Sequence, residues 1–232
     1  MAARHKVIYF DIDGTLVDYE ADSCHAFGKA LEHAVRSHPE LARRLTYDVF
    51  RHARDATYVQ YGDTGLPLAE WLTMCMKATL EYADVFDFEL AGRMGGLYEK
   101  FRNTTLKEFD DVVEVIPALA AKLTLGLISN GSSSLDHLSI GKFFSYSIFA
   151  RSVGHEKPAA EIFTAAVELA QCSKKDILYV GDGQHTDVIG ARNAGIEMVW
   201  INRTRAALLQ GIPPPEHEIR DLRDLARIAG IE

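Results

Sequence analysis

The residues best suited to chemistry fall in four short clusters, and the first is Asp11-Ile12-Asp13-Gly14-Thr15, directly after the apolar run 7–10. In extended backbone, side chains two positions apart project to the same side, so Asp11 and Asp13 share a face. Gly14 permits a tight turn and a close approach of backbone to a ligand. Two neighbouring carboxylates repel, and the pair becomes favourable when a cation lies between them or one carries a proton. Mg2+ suits such a set, because it takes hard oxygen ligands and is commonly held by one or two carboxylates together with substrate phosphate. The same residues are compatible with a solvated acidic turn that caps the next helix.

The second cluster, Gly181-Asp182-Gly183-Gln184-His185-Thr186-Asp187, follows the apolar run 177–180. It reads either as further carboxylates for the same cation or as a glycine turn with Asp187 as a helix N-cap. In the third, Ser129-Asn130-Gly131 after the run 125–128, a hydroxyl and turn N–H groups could form an anion-binding nest, or an ordinary turn. It is not a nucleophile elbow: that pattern needs a glycine two residues before the serine, and Gly126 stands three before Ser129. The fourth is Lys157-Pro158, at the start of a helical pattern. Acids are favoured in a first helical turn, so a lysine there either answers to an anion or lies on the surface.

The elements that position these clusters are legible in the apolar pattern. Runs at 7–10, 125–128, 177–180 and 198–201 are continuous rather than alternating, as expected of strands covered on both faces. Helical patterns are expected over 117–123, with Pro117 early in the helix, over 158–170, and over 187–194 with Gly195 as its stop. Strand and helix alternate through the second half, which predicts an α/β, doubly wound, mostly parallel sheet. Residues 17–109 differ: helical periodicity is expected over 23–35, 47–61, 68–82 and 90–106, with turns at His38-Pro39 and Gly62-Asp63-Thr64-Gly65. The predicted organisation is a core of residues 1–16 and 110–232 with a helical insertion at 17–109, leaving at the sheet edge where open α/β folds bind ligands.

Composition removes other classes. The 232 residues carry 25 Lys+Arg against 33 Asp+Glu, a net charge of −8, which argues against nucleic-acid or membrane-surface binding. Three scattered cysteines, Cys24, Cys75 and Cys172, predict neither a disulfide framework nor a cysteine zinc site and suit a reducing compartment. The four apolar residues before Asp11 are too few for a signal peptide, and no stretch suits a membrane span, so a cytoplasmic location is expected.

The four clusters, in this order, resemble the motifs of the haloacid-dehalogenase-like hydrolase superfamily: Asp11-x-Asp13-Gly14-Thr15, Ser129-Asn130-Gly131, Lys157-Pro158 and Gly181-Asp182 followed by Asp187. The resemblance implies a Rossmann-like core and an all-helical cap of the first type in the insertion. It further implies that Asp11 is the nucleophile, forming an aspartyl-phosphate, and Asp13 the general acid and base. The implied metal site is Mg2+ on the carboxylates of Asp11 and Asp182 and the backbone carbonyl of Asp13, with Asp187 orienting it. Thr15, Ser129, Asn130 and Lys157 are the implied phosphate-binding residues. Asp13 favours a phosphatase over a dehalogenase, whose halide leaving group needs no acid. Gly183 and Thr186 stand where relatives carry other small polar residues, and His185 reads as a loop residue. The implied substrate is a small phosphorylated metabolite, with a nucleoside monophosphate as first expectation, and the implied state is a monomer or small homo-oligomer. Rival readings are a dehalogenase or phosphonate hydrolase of the same superfamily and a non-catalytic receiver-like phospho-acceptor. Arg51, His52, Arg54, Tyr58, Tyr61 and Trp71 could contact a leaving group, although amphipathic helix faces explain them equally well.

Overall fold

The computed structural model describes residues 4–61, 66–131, 133, 135 and 138–231. The turn expected at Gly62-Asp63-Thr64-Gly65 lies outside them. Contacts divide the chain into two units, Met1–Asp18 with Lys107–Glu232 and Tyr19–Leu106.

The first unit is built on a parallel sheet. Its strands are β1 (Val7–Phe10), β2 (Thr124–Ser129), β3 (Phe144–Phe149), β4 (Ile177–Gly181), β5 (Glu197–Ile201) and β6 (His217–Ile219). They lie in the order β3-β2-β1-β4-β5-β6. Every residue of β1 and β4 is buried, as the unbroken apolar runs require of strands at the centre of a covered sheet. The chain order reverses direction between β1 and β4, the topological switch point at which open α/β sheets bind ligands. Register brings the chemistry to that point. Phe10 pairs with Leu127 on one side and Val180 on the other, so Asp11, Ser129 and Asp182 all emerge at the same sheet edge.

Two strands lack the continuous apolar runs of the others. β3 alternates in burial along Phe-Ser-Tyr-Ser-Ile-Phe, as an edge strand does, and β6 is a short, mostly polar edge pairing with β5. The helix expected at 117–123 is also corrected. It runs from Asp110 to Ala120 (α6), so Pro117 lies in its second half rather than at its start. The true start signal is the acidic pair Asp110-Asp111, followed by Val112, Val115, Ile116 and Leu119 buried on a helical period.

In the second unit the helices are α1 (Tyr19–Ala34), α2 (Leu41–Arg44), α3 (Tyr47–Tyr61), α4 (Leu68–Glu81) and α5 (Phe88–Phe101). The pattern expected to 106 ends five residues earlier, at Phe101, because residues 103–105 turn back onto α1. Buried Asp22 anchors that return: its carboxylate accepts Asn103 N–H at 2.6 Å and Thr105 N–H at 2.8 Å. At the centre of the unit Phe27 stacks on Phe50, 4.9 Å between centroids, and Tyr98 packs tilted against Phe50 at 5.1 Å. The connecting segments pair with each other, Asp18 N–H donating to Lys107 C=O and Phe109 N–H to Leu16 C=O. Among the described residues no helix is long and apolar enough to cross a membrane.

Candidate active site

Asp11 leaves β1 with its N–H donating to Val180 C=O at 2.9 Å, which fixes the nucleophile candidate to the switch-point strand β4. Carboxylate oxygens of Asp11, Asp182 and Asp187 lie within 4.8 Å of one another. A single ammonium is set among them: Lys157 Nζ is 2.6 Å from Asp11 Oδ1 and 2.7 Å from Asp187 Oδ1, and the residue is almost wholly buried. Lys157 lies between α7 (Ala150–Val153) and α8 (Ala160–Ala170), and in this structure its partners include two of the protein's own carboxylates.

Close backbone approach holds two of the carboxylates. Gly14 adopts φ +85°, and a Cβ there would stand 2.4 Å from Asp182 Oδ2. A Cβ on Gly131 would stand 2.6 Å from Asp13 Oδ2, so the Ser129-Asn130-Gly131 turn packs directly on the second aspartate.

The remaining site candidates take up specific positions. Thr15 Oγ1 donates to Asp182 Oδ1 at 3.2 Å, and Ser129 Oγ accepts Gly131 N–H at 3.0 Å. The Asn130 amide is engaged at both ends by the Lys157 backbone: its Nδ2 donates to Lys157 C=O at 2.9 Å and its Oδ1 accepts Lys157 N–H at 2.7 Å. A π-helical turn over Gln184–Val188 precedes α9 (Ile189–Ala194), so the helix expected from 187 begins two residues later. Such turns are frequent at functional sites. Here it carries Asp187 back over the loop, where its Oδ2 accepts Gly183 N–H at 2.8 Å rather than capping a downstream N–H. Gly195 ends α9 in the left-handed conformation, as expected.

Electrostatics follow from burial of so many carboxylates around one cation. Burial is the largest influence on Asp11 and pushes its pKa well above the ordinary carboxylate range; Lys157 opposes the rise, while Asp187, Asp182 and Asp13 add to it. Asp182 is pushed up to about 7, by burial first and then by Asp187, against Lys157 and the Thr15 hydroxyl. Burial acts to lower the Lys157 pKa, but the charges and hydrogen bonds of Asp11 and Asp187 outweigh it and hold the ammonium firmly protonated.

This donor set fits a small divalent cation. Three carboxyl groups crowd one ammonium, and the mutual repulsion that resists their full ionisation is what a metal would relieve. Asp11 and Asp182 each take a side-chain hydrogen bond on one oxygen only, from Lys157 and Thr15, whereas both oxygens of Asp187 are engaged. The two former carboxylates therefore have lone pairs to offer, and Asp187 is better placed to orient the cluster than to ligate.

Three supporting side chains were not anticipated from sequence. Tyr179, read only as part of an apolar strand, donates from its hydroxyl to Asp187 Oδ1 at 2.7 Å. Trp200 Nε1 on β5 donates to Asp182 C=O at 2.8 Å. Arg203 donates to Asp111 Oδ2 and to Thr15 C=O, each at 2.9 Å, and lies 3.9 Å from the centroid of Phe109. The available signal was register: Trp200 pairs with Gly181, immediately before Asp182.

Comparison with known proteins agrees with this arrangement. The family model for haloacid dehalogenase-like hydrolases matches residues 8–201. The 5-amino-6-(5-phospho-D-ribitylamino)uracil phosphatase YigB of Escherichia coli (strain K12) is 26% identical over 213 residues, covering 89% of this chain and 87% of YigB. Pyrimidine 5'-nucleotidase YjjG of the same organism is 29% identical over 129 residues, covering 52% of this chain and 57% of YjjG. Among solved structures, Bacillus subtilis YfnB bound to magnesium shares the fold with a TM-score of 0.80 at 23% identity, over 98% of this chain and 100% of that one. The family match spans all four clusters and both central strands, and the chain belongs to the haloacid dehalogenase-like hydrolase family.

Proposed function

We propose that this chain is a phosphomonoester hydrolase that acts on a small phosphorylated metabolite through an aspartyl-phosphate on Asp11, with Mg2+ as its metal. The observation that carries the reading is the buried Asp11 carboxylate, held by Lys157 at the switch point, with a second aspartate two residues along the same loop. Halide departure gives such a second carboxylate nothing to protonate, whereas an alkoxide leaving group needs a proton. The names of the relatives YigB and YjjG, a phosphatase and a nucleotidase, support the same side.

In the first step an Asp11 oxygen attacks phosphorus, the phosphorus–oxygen bond to the leaving group breaks, and Asp13 gives its proton to the departing oxygen. In the second, Asp13 takes a proton from water as that water attacks the aspartyl-phosphate, and phosphate leaves with Asp11 restored. Asp11, Asp182 and the backbone carbonyl of Asp13 are the residues that would hold Mg2+. When bound, the ion neutralises charge between the carboxylate nucleophile and the phosphoryl oxygens. Ser129 accepts Gly131 N–H and keeps its own proton to donate to a phosphoryl oxygen. Lys157 offsets the carboxylates, Asn130 fixes the Lys157 backbone and Thr15 steadies Asp182, and with Ser129 these residues are assigned to the phosphate site.

The helical unit, inserted in the chain after the loop that bears Asp11 and Asp13, is assigned the choice of leaving group, with a nucleoside monophosphate as the first substrate to test. The test is phosphate release from a panel of phosphometabolites that includes nucleoside monophosphates, with and without Mg2+, beside chloride release from 2-chloropropionate. Mg2+-dependent phosphate release without chloride release is expected. Chloride release with no ester hydrolysed would replace this reading by the dehalogenase one.

A further inference from the structure

The Lys157 ammonium has three N–H groups and three acceptors: Asp11 Oδ1 at 2.6 Å, Asp187 Oδ1 at 2.7 Å and the hydroxyl oxygen of Tyr179 at 3.0 Å. The Tyr179 hydroxyl spends its own proton on Asp187 Oδ1 at 2.7 Å, so its oxygen is left to accept from lysine. All four groups are buried, and the ring of Tyr179 is held edge-on by Phe163, 5.1 Å between centroids and 85° between planes. Burial, then the charges of Asp187 and Asp11, keep this phenol neutral, the form that can donate and accept at once.

From this geometry we infer that Tyr179 is a positioning residue for the nucleophile. Its hydroxyl takes the one lysine N–H that no carboxylate claims and pins Asp187, so Lys157 is held in a single rotational setting. One N–H is thereby aimed at Oδ1 of Asp11, which fixes the plane of that carboxylate by a side-chain hydrogen bond on one oxygen only. Without the hydroxyl, a buried ammonium N–H and one lone pair of Asp187 lose their partner, and the lysine can swing between the two aspartates. The inference rests on Asp11 being the nucleophile.

Tyr179→Phe deletes one oxygen and keeps the ring and its contact with Phe163. The wild-type protein and this variant are compared with p-nitrophenyl phosphate, by thermal melting, and by 1H–15N correlation of lysine ammonium groups in metal-free protein. A positioning role predicts kcat lower by about tenfold or more, since misplacing reacting groups is costly, with KM and the melting temperature little changed. It also predicts that the slowly exchanging ammonium signal of buried Lys157 shifts or broadens away. A kcat within twofold of wild type overturns the inference. So does a loss of activity that tracks lowered melting while the ammonium signal is untouched, because that is a packing effect. If wild-type protein hydrolyses no phosphate ester, the phosphatase reading fails; the ammonium spectra still decide whether the hydroxyl holds Lys157, and an unchanged signal overturns that as well.

Discussion

Replacing Gly14 by alanine separates the demands of the metal site from those of the fold. At φ +85° an L side chain is strained by about 1–2 kcal/mol. The new Cβ would also lie 2.4 Å from Asp182 Oδ2 and 2.8 Å from its Cγ. That is roughly 1 Å short of a normal contact at about 3.5 Å, so the Asp182 carboxylate has to move by about that much. Moving it breaks the 3.2 Å hydrogen bond from Thr15 and shifts an oxygen assigned to a metal that tolerates little departure from its ligand distances. A displacement of about 1 Å costs on the order of 10²-fold in rate. Gly14→Ala should therefore lose only about 1–3 kcal/mol of stability in urea melts, while Mg2+ binding measured by calorimetry on metal-free protein collapses and turnover falls by about two orders of magnitude. Gly28→Ala is the control, since among the described residues a Cβ there in α1 would meet no atom within 4 Å beyond its chain neighbours and its own helix backbone; it should be neutral or mildly stabilising. A Gly14→Ala protein with wild-type Mg2+ affinity and turnover would refute the reasoning.

Two further predictions rest on charges. Lys157→Met leaves Asp11 and Asp187 buried without their counter-charge, and unfolding in urea should show a loss of about 3–5 kcal/mol that added Mg2+ partly restores; a loss below about 1 kcal/mol would contradict the buried pairing. At the opposite edge of the sheet, burial acts to raise the pKa of Glu197, but hydrogen bonds from His217 and His5 and the charge of Arg4 lower it below 4.5. A depressed acid contributes stability above its unfolded value and loses it as pH falls through the folded one. Glu197→Gln should therefore cost about 1–2 kcal/mol near neutral pH and progressively less below pH 4.5, read from melting curves across pH; a pH-independent difference would exclude the linkage.

Much of this arrangement was legible in the sequence because the central strands are buried on both faces. The runs that became β1 and β4 are apolar throughout, and the carboxylates follow immediately at their ends. Edge strands gave no such signal: β3 buries alternate residues and β6 offers three, two of them polar. The start of α6 is hard to read because Pro117 mimics a helix start, although the acidic pair Asp110-Asp111 is the true one. At the site, the residue types were readable but their partners were not. Nothing in local spacing shows that Asn130 spends its amide on the Lys157 backbone, or that Lys157 is shared by Asp11, Asp187 and Tyr179. Those contacts join segments far apart in the chain and exist only after the strands are in register.

The central claim is that Asp11 and Asp13 do different work, and the Asp13→Asn variant tests it most directly. With p-nitrophenyl phosphate the leaving group departs without help, so Asp11 can still be phosphorylated, but water then lacks its base. Quenched during turnover and analysed by peptide mass spectrometry, this variant should carry one phosphoryl group on the peptide containing Asp11, and Asp11→Asn should carry none. Failure to trap phosphate on Asp11, with good and poor leaving groups slowed equally in Asp13→Asn, would contradict the account.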